Sequence, residues 1–174
     1  MAIKSAACKI MVITTKYTTK QKRKKAHIYF IKSEEISVCP ICGGRFKVIG
    51  SRIRKMIDTD GEVKILVIRR LRCRECDKIH HELPDILVPY KRHCAETIEN
   101  IISGKAGETP CEERTSRKIM AWWITLSLYF KMVLASLNEK YKTTFSAQAT
   151  PKEIVRAVAN ANLWIHTRSV FSSD

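Results

Sequence analysis

The sequence predicts an α+β protein, a cysteine-bearing β-hairpin followed by a helical domain, and three observations predict it. Two runs dominated by β-branched residues, Phe46 to Ile57 and Val63 to Arg72, flank the turn-forming "DTDG" at 58–61. A Cys-x2-Cys pair stands at the outer end of each run, Cys39 with Cys42 and Cys73 with Cys76. Beyond residue 90 the apolar positions take helical spacing, and Glu112 to Tyr141 contains neither glycine nor proline.

The chain of 174 residues has room for one sizeable domain or two small ones. Its formal net charge of +15 is spread along the chain: 9 Lys/Arg against 2 acids in 1–38, 11 against 7 in 39–89, and 12 against 8 in 90–174. Such an excess favours a polyanionic partner, nucleic acid before an anionic membrane. The seven cysteines are an odd number, and lysines break the apolar run of "MAIKSAACKIMVITTK". Both features point to a reducing cytoplasm, where CxxC units are metal ligands rather than disulfides.

Three units are expected in order: a basic N-terminal β element or arm (1–35), a ribbon with an extended connector (36–89), and a helical domain (90–174). In the first, "CKIMVITT" (8–15) and "AHIYFI" (26–31) read as strands. "KYTTKQKRKK" (16–25) between them is an exposed hairpin loop or a flexible arm. In the second, the hairpin is followed by "IHHELPDILVPYKRH", which Pro84 and Pro89 keep extended. In the third, Ile98, Ile101 and Ile102 mark a helix over 95–103 that Gly104 can end. A long helix covers 112–141. Its apolar part, "AWWITLSLYFKMVLASL" (121–137), is short for a bilayer span and carries Lys131 at its middle, so it reads as a buried helix with no membrane role. Thr150-Pro151-Lys152-Glu153 is a capping box opening a last helix to about Asn162.

Folding the hairpin brings its two ends together, so Cys39, Cys42, Cys73 and Cys76 are two halves of one site. Two residues between cysteines let both thiolates reach one ion; Pro40 and Gly43–Gly44 suit the turn this needs, and Asp77 fills the matching position of the second pair. Four soft thiolates select Zn²⁺ in a closed, structural site, with an iron centre as the main competitor. Cys8, Cys94 and Cys111 have no such pairing and read as small buried residues. His80, His81 and Glu82 raise the question of a metal-dependent nuclease. They follow the second CxxC pair rather than lying between the pairs, so one histidine is expected beneath the hairpin and the other in solvent.

The stretch "YKRHCAETIENIISGKAGETPCEERTSRKIMAWWITL" has the outline of a helix–turn–helix with a long loop. Its second helix would carry Ser116, Arg117 and Lys118 on an exposed first turn, ahead of the anchoring Ile119, Trp122 and Trp123. In the hairpin, Arg52, Arg54 and Lys55 crowd the first strand. Arg70, Arg72 and Arg74 alternate along the second and share one face, a spacing suited to phosphates.

The segments "CPICGG", "SRIRK", "IRRLRCRECDKIHHELPDILVPYKRH", "TSRKIMAWW" and "NANLWIHTRS" resemble a family of uncharacterised bacterial zinc-ribbon proteins. That family carries a domain of unknown function and occurs near transposons and integrated phage. The resemblance runs over about residues 36–171 and implies DNA binding by analogy. Together these readings predict a non-enzymatic zinc-ribbon protein of a mobile element that binds double-stranded DNA, as a regulator or transposition accessory alongside other proteins of that element. An RNA-binding or protein-bridging ribbon is the alternative, and a small metal-dependent nuclease the third.

Overall fold

The computed structural model describes residues 10–22, 25–142 and 149–165. Within them six strands form one curled sheet: β1 (Ile10–Thr14), β2 (Tyr17–Lys22), β3 (Lys25–Ser33), β4 (Phe46–Ile57), β5 (Val63–Cys73) and β6 (Ile79–Pro84). The helices are α1 (Ala95–Ile102), α2 (Glu113–Tyr141) and α3 (Pro151–Asn160), with a 3-10 turn at Ala106–Glu108. The architecture is mixed α+β, as expected.

β5 organises the sheet. β4 pairs antiparallel along one whole edge, from Phe46 opposite Cys73 to Ile57 opposite Val63, with a bulge between Val48 and Gly50. The other edge of β5 is divided. Its first half takes β3 in parallel at Ile65–Val67, and its second half takes β6 antiparallel at Arg70–Arg72. β1 then lies parallel beside β6, and β2 antiparallel beside β3. Strands from 1–35 and from 36–89 therefore enter one sheet.

The basic run at 16–25 is neither loop nor arm over Tyr17–Lys22, where it forms β2. Tyr-Thr-Thr suits a pleated backbone, and every residue of β2 after Tyr17 is exposed. Lysines on such an outer strand discourage pairing with another chain. Arg23 and Lys24 of that run, Cys8, and the tail beyond Ile165 lie outside the described residues.

One sheet face carries Met11, Ile13, Ile31, Met56, Leu66, Ile68 and Leu83, which share one core with Ile98, Ile119, Trp122, Leu126, Phe130 and Val158 of the helices. Along α2 the buried positions Ser116, Ile119, Trp122, Leu126, Phe130, Val133 and Leu137 recur every three or four residues, the stripe of a helix packed on one side. α2 is long and apolar enough to cross a membrane by length and composition; this stripe joins it to the common core, with α1 and α3 as its neighbours. Thr150 and Glu153 form the expected capping box at the start of α3. At its other end Asn160 accepts from the Ile13 amide (2.7 Å) and donates to the Ile13 carbonyl (3.0 Å), closing off part of β1's open edge.

The helix–turn–helix expectation is not upheld. α1 and α2 are separated by residues 103–112 with their own 3-10 turn, whereas that motif uses three or four residues. Ser116 is buried, with no partner for its Oγ, and so is not on an exposed first turn. Its spacing to Ile119, Trp122 and Leu126 puts it on the core stripe.

Candidate metal centre and basic concavity

The antiparallel β4–β5 pairing carries the two CxxC turns to the same end of the sheet. Cys39 to Cys76 is 3.6 Å between sulfurs, Cys42 to Cys73 is 3.4 Å, and all four sulfurs lie within 4.8 Å of one another. Thiolates placed tetrahedrally around zinc at about 2.3 Å stand roughly 3.8 Å apart, so the cluster has the dimensions of a four-sulfur metal site. The first turn is held by the Gly43 amide on the Cys39 carbonyl (2.8 Å) and the Cys39 amide on the Gly44 carbonyl (2.9 Å). Gly43 takes φ +74°, and a side chain on Gly44 would press within 2.8 Å of the Cys73 sulfur. The second turn reverses through Asp77 at φ 59°, a residue type that tolerates this conformation, and the Cys73 amide bonds the Lys78 carbonyl at 3.0 Å.

The sulfurs also perturb one another. The Lys78 amide lowers the Cys76 thiol to about 7. The Gly44 amide favours the Cys42 thiolate, but the other three sulfurs outweigh it and raise that thiol to about 12. Burial raises Cys39. Four thiols this close cannot all ionise without a cation among them, and the cluster could hold a metal ion.

His80 was not among the expected site residues. It is fully buried under the hairpin, with Nε2 3.4 Å from the Cys39 sulfur and its ring 4.8 Å from Phe46. Burial lowers its pKa, and a neutral ring protonated on Nε2 donates to that sulfur, as partners of metal ligands commonly do. The sequence reading had placed one histidine beneath the hairpin without giving it this task. Cys94 is buried beside Thr97 (3.2 Å), while Cys111 is only half-buried, 3.6 Å from His93 Nε2.

The expected basic residues divide into different surroundings. Arg52 and Arg54 lie on the helix-facing side of β4, opposite Ile68 and Leu66, and Lys55 is exposed on the other side. Arg70 and Arg72 share a face by alternation, but Arg72 is held by Asp77 at 2.6 Å, and Arg74 lies past the end of β5 in the second cysteine turn. Arg117 is exposed and paired with Glu113 one turn back; Lys118 is exposed. Arg69, expected in the same basic crowd on β5, is instead paired within the sheet. It binds Glu82 with two hydrogen bonds, 2.6 and 2.8 Å.

A further basic concavity lies elsewhere. A cavity of about 510 Å³ opens between the connector and the start of α2, lined by Tyr90, Lys91, Arg92, His93, Thr115 and Lys118, with Glu112 at its edge. Lys91 lies 4.0 Å over the Trp122 ring, and burial lowers its pKa to about 8. Tyr90 also lines a smaller recess with Arg52, Arg54 and His81. The motif "VPYKRH" was legible as a motif, but nothing in it announced that it lines a cavity.

Residues 39–122 match the family model DUF6431, a domain of unknown function. The match starts at the first cysteine and ends at Trp122, taking in the cysteine cluster, β4 to α1 and the first turns of α2. It is shorter than the resemblance over 36–171, and its description names neither an activity nor a mobile element. No curated protein and no solved structure matches the chain.

Proposed function

We propose that this is a non-enzymatic, zinc-stabilised protein that binds double-stranded DNA through its phosphate backbone. The cysteine cluster is its structural zinc ribbon. Zinc fits because four sulfurs in a closed tetrahedral set leave no position for substrate, and because His80 supports one of them from behind. The ion would hold the two turns together, and with them the ends of β4 and β5. A cytoplasmic location follows from the free thiols. A place in a mobile element rests on the resemblance alone.

The observation that carries the DNA reading is the basic concavity beside Tyr90. Arg92 and Lys118 line it, and Arg52 and Arg54 line the smaller recess that shares Tyr90; none of the four forms an ion pair among the described residues. Cations left without carboxylates suit phosphates supplied by a partner. Arg72 and Arg117 are paired with Asp77 and Glu113 and carry less of the reading than their spacing alone suggests.

Salt dependence tests it. Four cations neutralising about four phosphates give a slope near −3.6, roughly a 150-fold loss of affinity between 50 and 200 mM salt. Arg92→Ala with Lys118→Ala should reduce that slope by about 2 and weaken every duplex sequence alike. Duplex affinity indifferent to salt would remove the proposal.

A further inference from the structure

We infer that the recess between β4 and the connector is a discrete oxyanion site, built to take one phosphate-class group on Arg54. The recess is small, about 60 Å³, with Ile68, Leu83 and Met11 as its floor and Arg52, Arg54, His81 and Tyr90 as its walls. Ile68 and Leu83 are fully buried. The Arg54 Nε is also buried and has no hydrogen-bond partner. A guanidinium nitrogen withdrawn from water normally has a carboxylate or carbonyl against it; here Arg52, of the same sign, opposes the Arg54 charge, and the Tyr90 side chain favours it. Burial first, and Arg52 second, work against the Arg54 charge. An anion between the two arginines would remove both penalties at once.

The walls suit an oxyanion in shape as well as charge. Arg52 and Arg54 are alternate residues of one strand, so their guanidinium forks lie on the same face. A planar fork presents paired N–H donors to two oxygens of a tetrahedral anion. The Tyr90 and His81 side chains border the same space. The recess has room for a group the size of a phosphate. The site stands on this geometry whether or not the protein binds duplex DNA.

The test uses the full-length, metal-loaded protein labelled with ¹⁵N. Sodium phosphate and sodium chloride are titrated separately at matched ionic strength while the Arg54 Nε–H resonance is followed. Phosphate should move it saturably and chloride should not. Arg54→Gln should weaken phosphate binding at least about thirtyfold, since it removes a buried charged donor. Arg52→Gln leaves Arg54 in place, guards against a folding defect in the first variant, and should weaken binding about two- to fivefold. An equal response to chloride, or unchanged phosphate affinity in both variants, overturns the site.

Two duplexes, with and without 5′-phosphates, identify the source of the anion. Displacement of phosphate by either duplex assigns the site to backbone phosphodiesters. Displacement by the 5′-phosphorylated duplex alone, or by neither, assigns it to phosphate monoesters. If phosphate saturates Arg54 and no duplex binds, the site stands and the DNA reading falls. If duplex binds with the expected salt slope while both variants match the parent toward phosphate, the site falls and the DNA reading stands.

Discussion

Glu82→Gln removes one charge from the middle of the sheet and leaves the side chain's shape unchanged. Glu82 lies on β6 between β1 and β5, and both its oxygens accept from Arg69, Nε at 2.6 Å and Nη2 at 2.8 Å. The Glu82 side chain is 3% exposed and that of Arg69 25%. Breaking a buried pair by removing one partner costs about 3–5 kcal/mol, because the remaining charge stays desolvated. Water reaches the outer part of Arg69, so the lower end applies, about 3 kcal/mol. In a protein of this size each kcal/mol moves the melting temperature by about 2–4 °C, so a fall of roughly 6–12 °C is expected. Thermal unfolding of the metal-loaded protein followed by circular dichroism measures it. Arg69→Met combined with Glu82→Leu should recover most of the loss, because two apolar residues carry no desolvation penalty. A melting temperature for Glu82→Gln within about 2 °C of the parent refutes the reasoning, since it would mean that water already screens the pair.

Two further outcomes follow from the same geometry. Protein purified without chelator should contain about one zinc per chain, and Cys76→Ser should lose it. Because structural zinc contributes on the order of 10 kcal/mol, chelation should unfold the cysteine end of the β4–β5 pair; amide exchange there unchanged by chelator would rule out a structural ion. Asp58 is held by Lys64 at 2.5 Å and by the Asp60 and Glu62 amides, which together lower its pKa, Lys64 contributing most. A carboxyl depressed in the folded state stabilises above its unfolded value, near 4, and that contribution disappears as pH falls through the folded value. Asp58→Asn should therefore cost about 1–3 kcal/mol at pH 7 in denaturant unfolding, and the gap to the parent should close below about pH 4. A gap of constant size across that range contradicts the assignment.

Much of the molecule was legible in the chain. The spacing of Cys39, Cys42, Cys73 and Cys76, with a turn midway, fixes a hairpin that closes one four-sulfur cluster. That inference is local, because each CxxC turn needs only its own residues. The ends of α1, α2 and α3 were readable for the same reason: a capping box at Thr150 and helical apolar spacing are short-range signals. Burial of one of the two histidines is legible in the sequence, but not that it is His80, nor its contact with the Cys39 sulfur, since that contact spans β6 and the first turn.

The tertiary structure alone decided which charges are free. Nothing in "SRIRK" distinguishes Arg52 and Arg54 from Lys55; the pleat does, turning the first two toward the core face and the third outward. Nothing in "IRRLRCRECDK" indicates that Arg69 and Arg72 have carboxylate partners while Arg70 has none among the described residues. The helix–turn–helix outline failed on the same ground, because the stripe that buries Ile119 and Trp122 also takes Ser116 inward. Sequence spacing determined the cysteine cluster and the helices, since both depend on a few neighbouring residues. The sheet and its packing decided the basic surface, because a charge's partner is set by register and burial across strands distant in the chain.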